Sequence, residues 1–248
     1  MGPISLAEAT TVTEGSPALS EGQQALAEAQ QSGQRVEVTG ERSERTTVFA
    51  NPDGFTFTLE ESSVPVRVAK PDGGWQAPDP TLEARADGTV GPKASAAEMV
   101  FSGGGSNDPL AEITNRGRSL ELGWPGDLPE PELDGTSALY REVLPDVDLQ
   151  VTASTEGFRH LLLVKTPEAA ANPELERIDY TLKTSELTVR EGSAGNLAAV
   201  DADGKTVFRA PPAQMWDSAG AAGEQQTTPL GAALQSAATT EGPVTPLV

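Results

Sequence analysis

The sequence predicts an all-β fold, either two β-sandwich-like halves or one extended β-meander, with a short N-terminal helix and a disordered C-terminal tail. Three observations carry this. Apolar residues recur with a period of two through the middle of the chain. Asp-Gly and Asn-Arg-Gly turn sequences punctuate the alternating stretches. The 248 residues include 25 Gly and 20 Pro but only 4% aromatics, a composition suited to a turn-rich, shallow, two-layer architecture.

Residues 1–19 form the leader. Pro3-Ile4-Ser5-Leu6-Ala7-Glu8-Ala9 reads as the tail of a secretory signal, ending in the small-x-small pattern Ala7-Glu8-Ala9, with the true start lying upstream. Residues 20–34 read as a helix or spacer. Ser20-Glu21-Gly22-Gln23 is a capping box, Gln24 to Gln31 continue the helix, and Gly33 stops it. Its apolar content is mostly Ala, so it is expected to dock weakly or act as a spacer.

Residues 35–124 form the first β-rich half. Thr46-Thr47-Val48-Phe49-Ala50 and Phe55-Thr56-Phe57-Thr58-Leu59 flank Asn51-Pro52-Asp53-Gly54 and predict a hairpin. The same grammar places strands at Val64–Val68, ahead of Pro71-Asp72-Gly73-Gly74 and Trp75, and at Leu82–Arg85 before Asp87-Gly88. It also pairs Ile113-Thr114 with Leu120-Glu121-Leu122 across Asn115-Arg116-Gly117.

A Pro-rich connection, residues 125–135, leads to the second β-rich half, residues 136–218. Strands are expected at Leu139–Val143, Leu144–Ala153 and Phe158–Lys165. The last is apolar on both faces at its centre and reads as a buried central strand. A helical turn at Pro167–Ala171 precedes strands at Ile178–Leu182, Leu187–Val189, Leu197–Val200 and Lys205–Phe208. Beyond Trp216-Asp217-Ser218, residues 219–248 collapse to Ala, Gly, Gln, Thr and Pro and read as a linker.

Composition also bounds function. The formal net charge of -20, from 37 acidic against 17 basic residues, would repel phosphate backbones and anionic lipid, which argues against nucleic acid as a partner. With no Cys, disulfides, thiolate metal sites and thiol nucleophiles are excluded. No stretch has the roughly 20 apolar residues of a membrane-spanning helix, so no membrane insertion is expected.

Several motif sets carry a resemblance. They are Phe49-Ala50-Asn51-Pro52-Asp53-Gly54, Pro65-Val66-Arg67-Val68, Ala86-Asp87-Gly88-Thr89-Val90, Phe101 to Gly105, Tyr140 to Leu149, Glu156 to His160, Asp201 to Pro211 and Met215 to Ser218. Together they resemble the N-terminal region of large secreted actinobacterial multidomain proteins, those with LamG-like, DNRLRE or RHS-repeat modules downstream. The resemblance implies a secreted, extracellular, cell-surface location, with downstream modules of the same polypeptide as partners. It implies a non-catalytic structural or presentation role and brings no catalytic residue with it. The alternative is a carbohydrate or cell-wall binding module with polysaccharide as partner, and a third reading is a carboxylate-pair hydrolase.

Candidate residues follow from chemistry. Trp75, Trp124 and Trp216 offer faces on which a pyranose stacks, against the ordinary use of Trp as a seal at a core edge. Asn51, Asp53 and Glu60 match the third, fifth and twelfth positions of a calcium loop, but Phe49 holds the first and the flanks alternate as strands. His160 is the one histidine, and a packed strand residue is the simpler reading than a catalytic base. Glu121, Glu142 and Asp148 lie near strands and are the carboxylates to check for a glycosidase pair. The motifs require no cofactor, and the chain reads as lacking catalytic residues.

Overall fold

The computed structural model describes residues 19–105, 109–192, 194–216, 228–229 and 233–236. The signal-like leader up to residue 18 lies outside them, as does most of the expected linker. The chain is mostly β, with strands in several sheets, and divides into two compact units, Met1–Ser62 and Ser63–Val248.

In the first unit, helix α1 (Glu21–Ser32) begins as its sequence dictates. The Ser20 hydroxyl accepts from the Gln23 N–H while the Gln23 side chain accepts from the Ser20 N–H. Gly33 ends it at φ 69°, a left-handed cap that a Cβ would penalise. Strands β1 (Val36–Glu37), β2 (Thr46–Ala50) and β3 (Phe57–Glu61) form an antiparallel sheet in that order. Ala25 and Ala29 of α1 are buried with Val38 and Ala50, with Leu26, Val36 and Val48 around them. The small alanine faces thus let the helix pack onto the sheet, a fuller role than a spacer. Glu21 accepts from Thr39 Oγ1 at 2.6 Å and the Gly40 N–H at 2.8 Å, pinning the first turn of the helix.

The second unit opens with β4 (Val68–Ala69) paired to β5 (Trp75–Gln76). The longer strand expected from Val64 is not formed, and Val64 and Val66 are exposed. Next come β6 (Asp79–Ala84), β7 (Val90–Ala94), β8 (Glu98–Phe101), β9 (Ala111–Asn115) and β10 (Arg118–Gly123). The β9–β10 turn sets Arg116 at φ 52° and Gly117 at φ 78°, the two positive values that a tight hairpin turn demands.

The following strands are β11 (Glu132–Asp134), β12 (Ser137–Leu144), β13 (Val147–Ala153) and β14 (Gly157–Val164). Thr166 caps a single helical turn, α2 (Pro167–Ala170). Then come β15 (Thr181–Ser185), β16 (Thr188–Glu191), β17 (Leu197–Val200), β18 (Thr206–Ala210) and β19 (Gln214–Met215). Within residues 219–248, β20 (Thr228–Pro229) pairs with β19, and β21 (Ala233–Ser236) lies between β14 and β18. The tail's composition does not announce these strands.

Two antiparallel sheets result, of order β15-β10-β9-β8-β7-β6 and β11-β12-β13-β14-β21-β18-β17-β16. They share one hydrophobic cluster in a sandwich-like arrangement. Leu82, Met99, Phe101, Ile113 and Leu120 come from the first sheet, and Tyr140, Leu149, Val151, Phe158 and Phe208 from the second. Phe101 and Phe158 meet edge to face, centroids 5.5 Å apart. The Pro-rich connection therefore does not separate two cores. Residues on either side of it fill the same interior, and β15 from beyond it pairs with β10 from before it.

One strand departs from its pattern. The centre of β14, Leu161 to Leu163, is half-buried rather than fully buried. β13 pairs along its whole length, but β21 reaches only Gly157 to Arg159, and among the described residues no other strand covers the remaining edge.

Candidate functional site

Charged side chains gather where β12, β13 and the end of β14 meet. Alternation along β13 sends Val147, Leu149, Val151 and Ala153 inward, so Asp148 lies on the opposite, outer face. It is nevertheless only 3% exposed, because Lys165, Arg141 and Glu142 close over it. The β12–β13 register shifts between Tyr140 and Leu144, a bulge that turns Glu142 to φ 53°. From there its N–H donates to Asp148 Oδ1 at 2.8 Å and its carboxylate meets the Lys165 ammonium. Lys165 Nζ donates to Asp148 Oδ1 at 2.8 Å, and Arg141 Nη1 stands 3.8 Å from Asp148 Oδ2. Arg141 also forms a two-pronged pair with Glu132, at 2.6 and 2.7 Å.

Electrostatics follow from this geometry. Burial works to raise the Asp148 carboxyl. Lys165, the Glu142 N–H and the Arg141 charge outweigh it and hold the group below the usual carboxylate range. The Lys165 hydrogen bond likewise lowers Glu142, and Asp148 and Glu142 together raise Lys165. Two of the three flagged carboxylates are thus brought onto one ammonium, both ionised. A glycosidase pair needs one carboxyl held protonated as the acid, and this pair has none. Glu121 stands apart, 3.2 Å from Lys183 on the neighbouring strand.

A second cluster is aromatic. Tyr180 meets Trp124 edge-on, centroids 5.6 Å apart, and tilts over His160 at 5.2 Å. His160 Nδ1 is buried with no hydrogen-bond partner, and burial lowers its pKa to about 4, so the ring is neutral. His160 is thus held on β14 as a packed strand residue beside Tyr180.

The three tryptophans do not form a common platform. Trp75 is half-buried on β5, Trp124 is half-buried against Tyr180, and Trp216 is 58% exposed beside Met215 at 60%. Asn51 and Asp53 do come together, but as a turn. Asp53 accepts from the Phe55 N–H, the Thr56 N–H and Thr56 Oγ1, and Asn51 exchanges hydrogen bonds with Thr56 and Thr58. Glu60 pairs with Arg35 at 2.9 Å. Among the described residues, no three His, Cys, Asp or Glu side chains are gathered as a metal site.

Sequence reasoning missed Lys165, Arg141 and Tyr180. The available signal for Lys165 was its place one residue past an apolar strand, opposite the acidic Asp146-Val147-Asp148 turn. No protein-family model matches the chain, and no curated protein or solved structure matches it.

Proposed function

We propose that this chain is a non-catalytic structural module of an exported protein, spacing or presenting further modules of the same polypeptide outside the cell. The observation supporting it is that its carboxylate clusters and turns are internally paired. Glu142 and Asp148 are committed to Lys165, Asp53 and Asn51 to their own turn, and His160 to a packed aromatic cluster. Side chains held in this way add rigidity to the sheets and turns that carry them. The resemblance to secreted actinobacterial multidomain proteins supports the extracellular placement. Among the described residues, no helix is long and apolar enough to cross a membrane.

The test is to incubate the full chain with a panel of cell-wall polysaccharides, following product release and tryptophan fluorescence together. Cooperative unfolding with no released sugar and no spectral change supports the structural reading, and released reducing ends would defeat it.

One observation favours a second reading, polysaccharide binding. Trp216 and Met215 form an exposed apolar pair that a sugar face can cover. A saturable fluorescence change that disappears in Trp216→Ala would support it.

A further inference from the structure

We propose that Lys165, Asp148 and Glu142 form a self-modification site, at which the Lys165 amine and the Asp148 carboxyl condense into an intramolecular isopeptide bond. The amine and the carboxyl already meet as a hydrogen-bonded ion pair, with Nζ 2.8 Å from Asp148 Oδ1 and the carboxyl buried. Holding two reactants at this separation removes the translational and rotational part of the barrier to their condensation. The Glu142 N–H donates to Asp148 Oδ1 at 2.8 Å, and Arg141 stands beside Oδ2, so both oxygens face donors that would stabilise a tetrahedral intermediate.

Glu142 supplies the remaining part. Its carboxylate touches the same ammonium, and the bulge holds its backbone at positive φ, a conformation a non-glycine residue adopts only when its surroundings impose it. A glutamate in that place relays protons between the amine and the departing oxygen.

The step balances without any further reactant. The starting ion pair is an ammonium and a carboxylate. Glu142 takes a proton from Lys165 and passes it to Asp148, leaving a neutral amine and a carboxylic acid. The Nζ lone pair attacks Asp148 Cγ, the N–Cγ bond forms, and the C–O bond to the protonated oxygen breaks. The second amine proton returns through Glu142 to the leaving hydroxyl, and one water departs. Because the charged pair is the resting state, the reaction is slow, but it need occur only once in the life of each chain. The bond would join β13 to the end of β14 in a protein that has no cysteine with which to make a disulfide.

The experiment is intact-mass spectrometry of the purified full chain after incubation at neutral pH, followed by tryptic mapping. The expected result is a mass lower than the sequence mass by one water. A branched peptide should join the Asp148 and Lys165 segments, and cleavage after Lys165 should be lost. Lys165→Arg and Asp148→Ala should retain the full mass, and Glu142→Gln should form the bond about a hundred-fold more slowly. A wild-type chain that stays at the full sequence mass while unfolding cooperatively overturns the proposal. So does a water loss without the branched peptide, which cyclisation at an Asp-Gly turn would give.

Discussion

The Tyr140 hydroxyl donates a 2.7 Å hydrogen bond to the carbonyl of Ser102, joining the second sheet to the end of β8 in the first. Both residues are buried, so the bond is made where water cannot replace it. Tyr140→Phe keeps the ring and orphans the carbonyl. It should cost about 1–3 kcal/mol, read as a lower urea midpoint with an unchanged denaturant slope.

His160 sets a pH dependence. Its folded pKa, about 4, lies below the value near 6.5 of an unfolded chain, so between these values the unfolded state binds more protons. Stability is therefore full above pH 6.5 and falls as pH drops toward 4, by up to about 3 kcal/mol. Asp148 and Glu142, held low by Lys165, contribute in the opposite sense to burial. Their support is present above the ordinary carboxylate pKa and is lost only as pH falls through their depressed values. His160→Leu should abolish the upper part of the profile, measured as urea midpoint against pH, and leave the acid limb.

Gly103 is required by close approach. A Cβ there would stand 1.7 Å from the Gly88 carbonyl oxygen, a backbone atom that cannot swing aside. Gly103→Ala should destabilise the second unit by more than about 3 kcal/mol or prevent folding, read by thermal melting.

The cap of α1 is a local device. Ser20→Ala removes the acceptor for the Gln23 N–H and should cost about 1 kcal/mol, seen as faster amide exchange through Gln23 to Ala25.

Calcium should leave the melting temperature unchanged, and so should its removal with a chelator. The Asp53 oxygens already accept three hydrogen bonds and Glu60 is turned to Arg35. An upward shift at millimolar calcium would revive the loop reading.

What was legible in the sequence was local. The capping box, the Asn51–Gly54 turn and the Asn115-Arg116-Gly117 hairpin each depend on a few adjacent residues whose backbone preferences act alone. The Trp124–Tyr180–His160 cluster was not legible, because its members come from the ends of β10 and β15 and from β14, and only long-range packing unites them. Lys165 was hidden for a related reason. Its meaning depends on a bulge in β12, and a register shift leaves no periodic trace in a strand of mixed composition. The overestimated burial of β14 has the same origin, since composition records how apolar a strand is and not how far its neighbour extends.

The pairing of β10 with β15 has a kinetic consequence. Leu120 lies opposite Thr184, and between them the chain lays down β11 to β14 of the other sheet. The first sheet cannot be finished before much of the second has been laid down, so a cut in the Pro-rich connection leaves the N-terminal piece without its edge strand until the two pieces reassociate. Closing so long a loop before its contacts are gained slows the search, and a nascent chain must have residues well past the second sheet's first hairpins outside the ribosome before the first sheet has its outer edge.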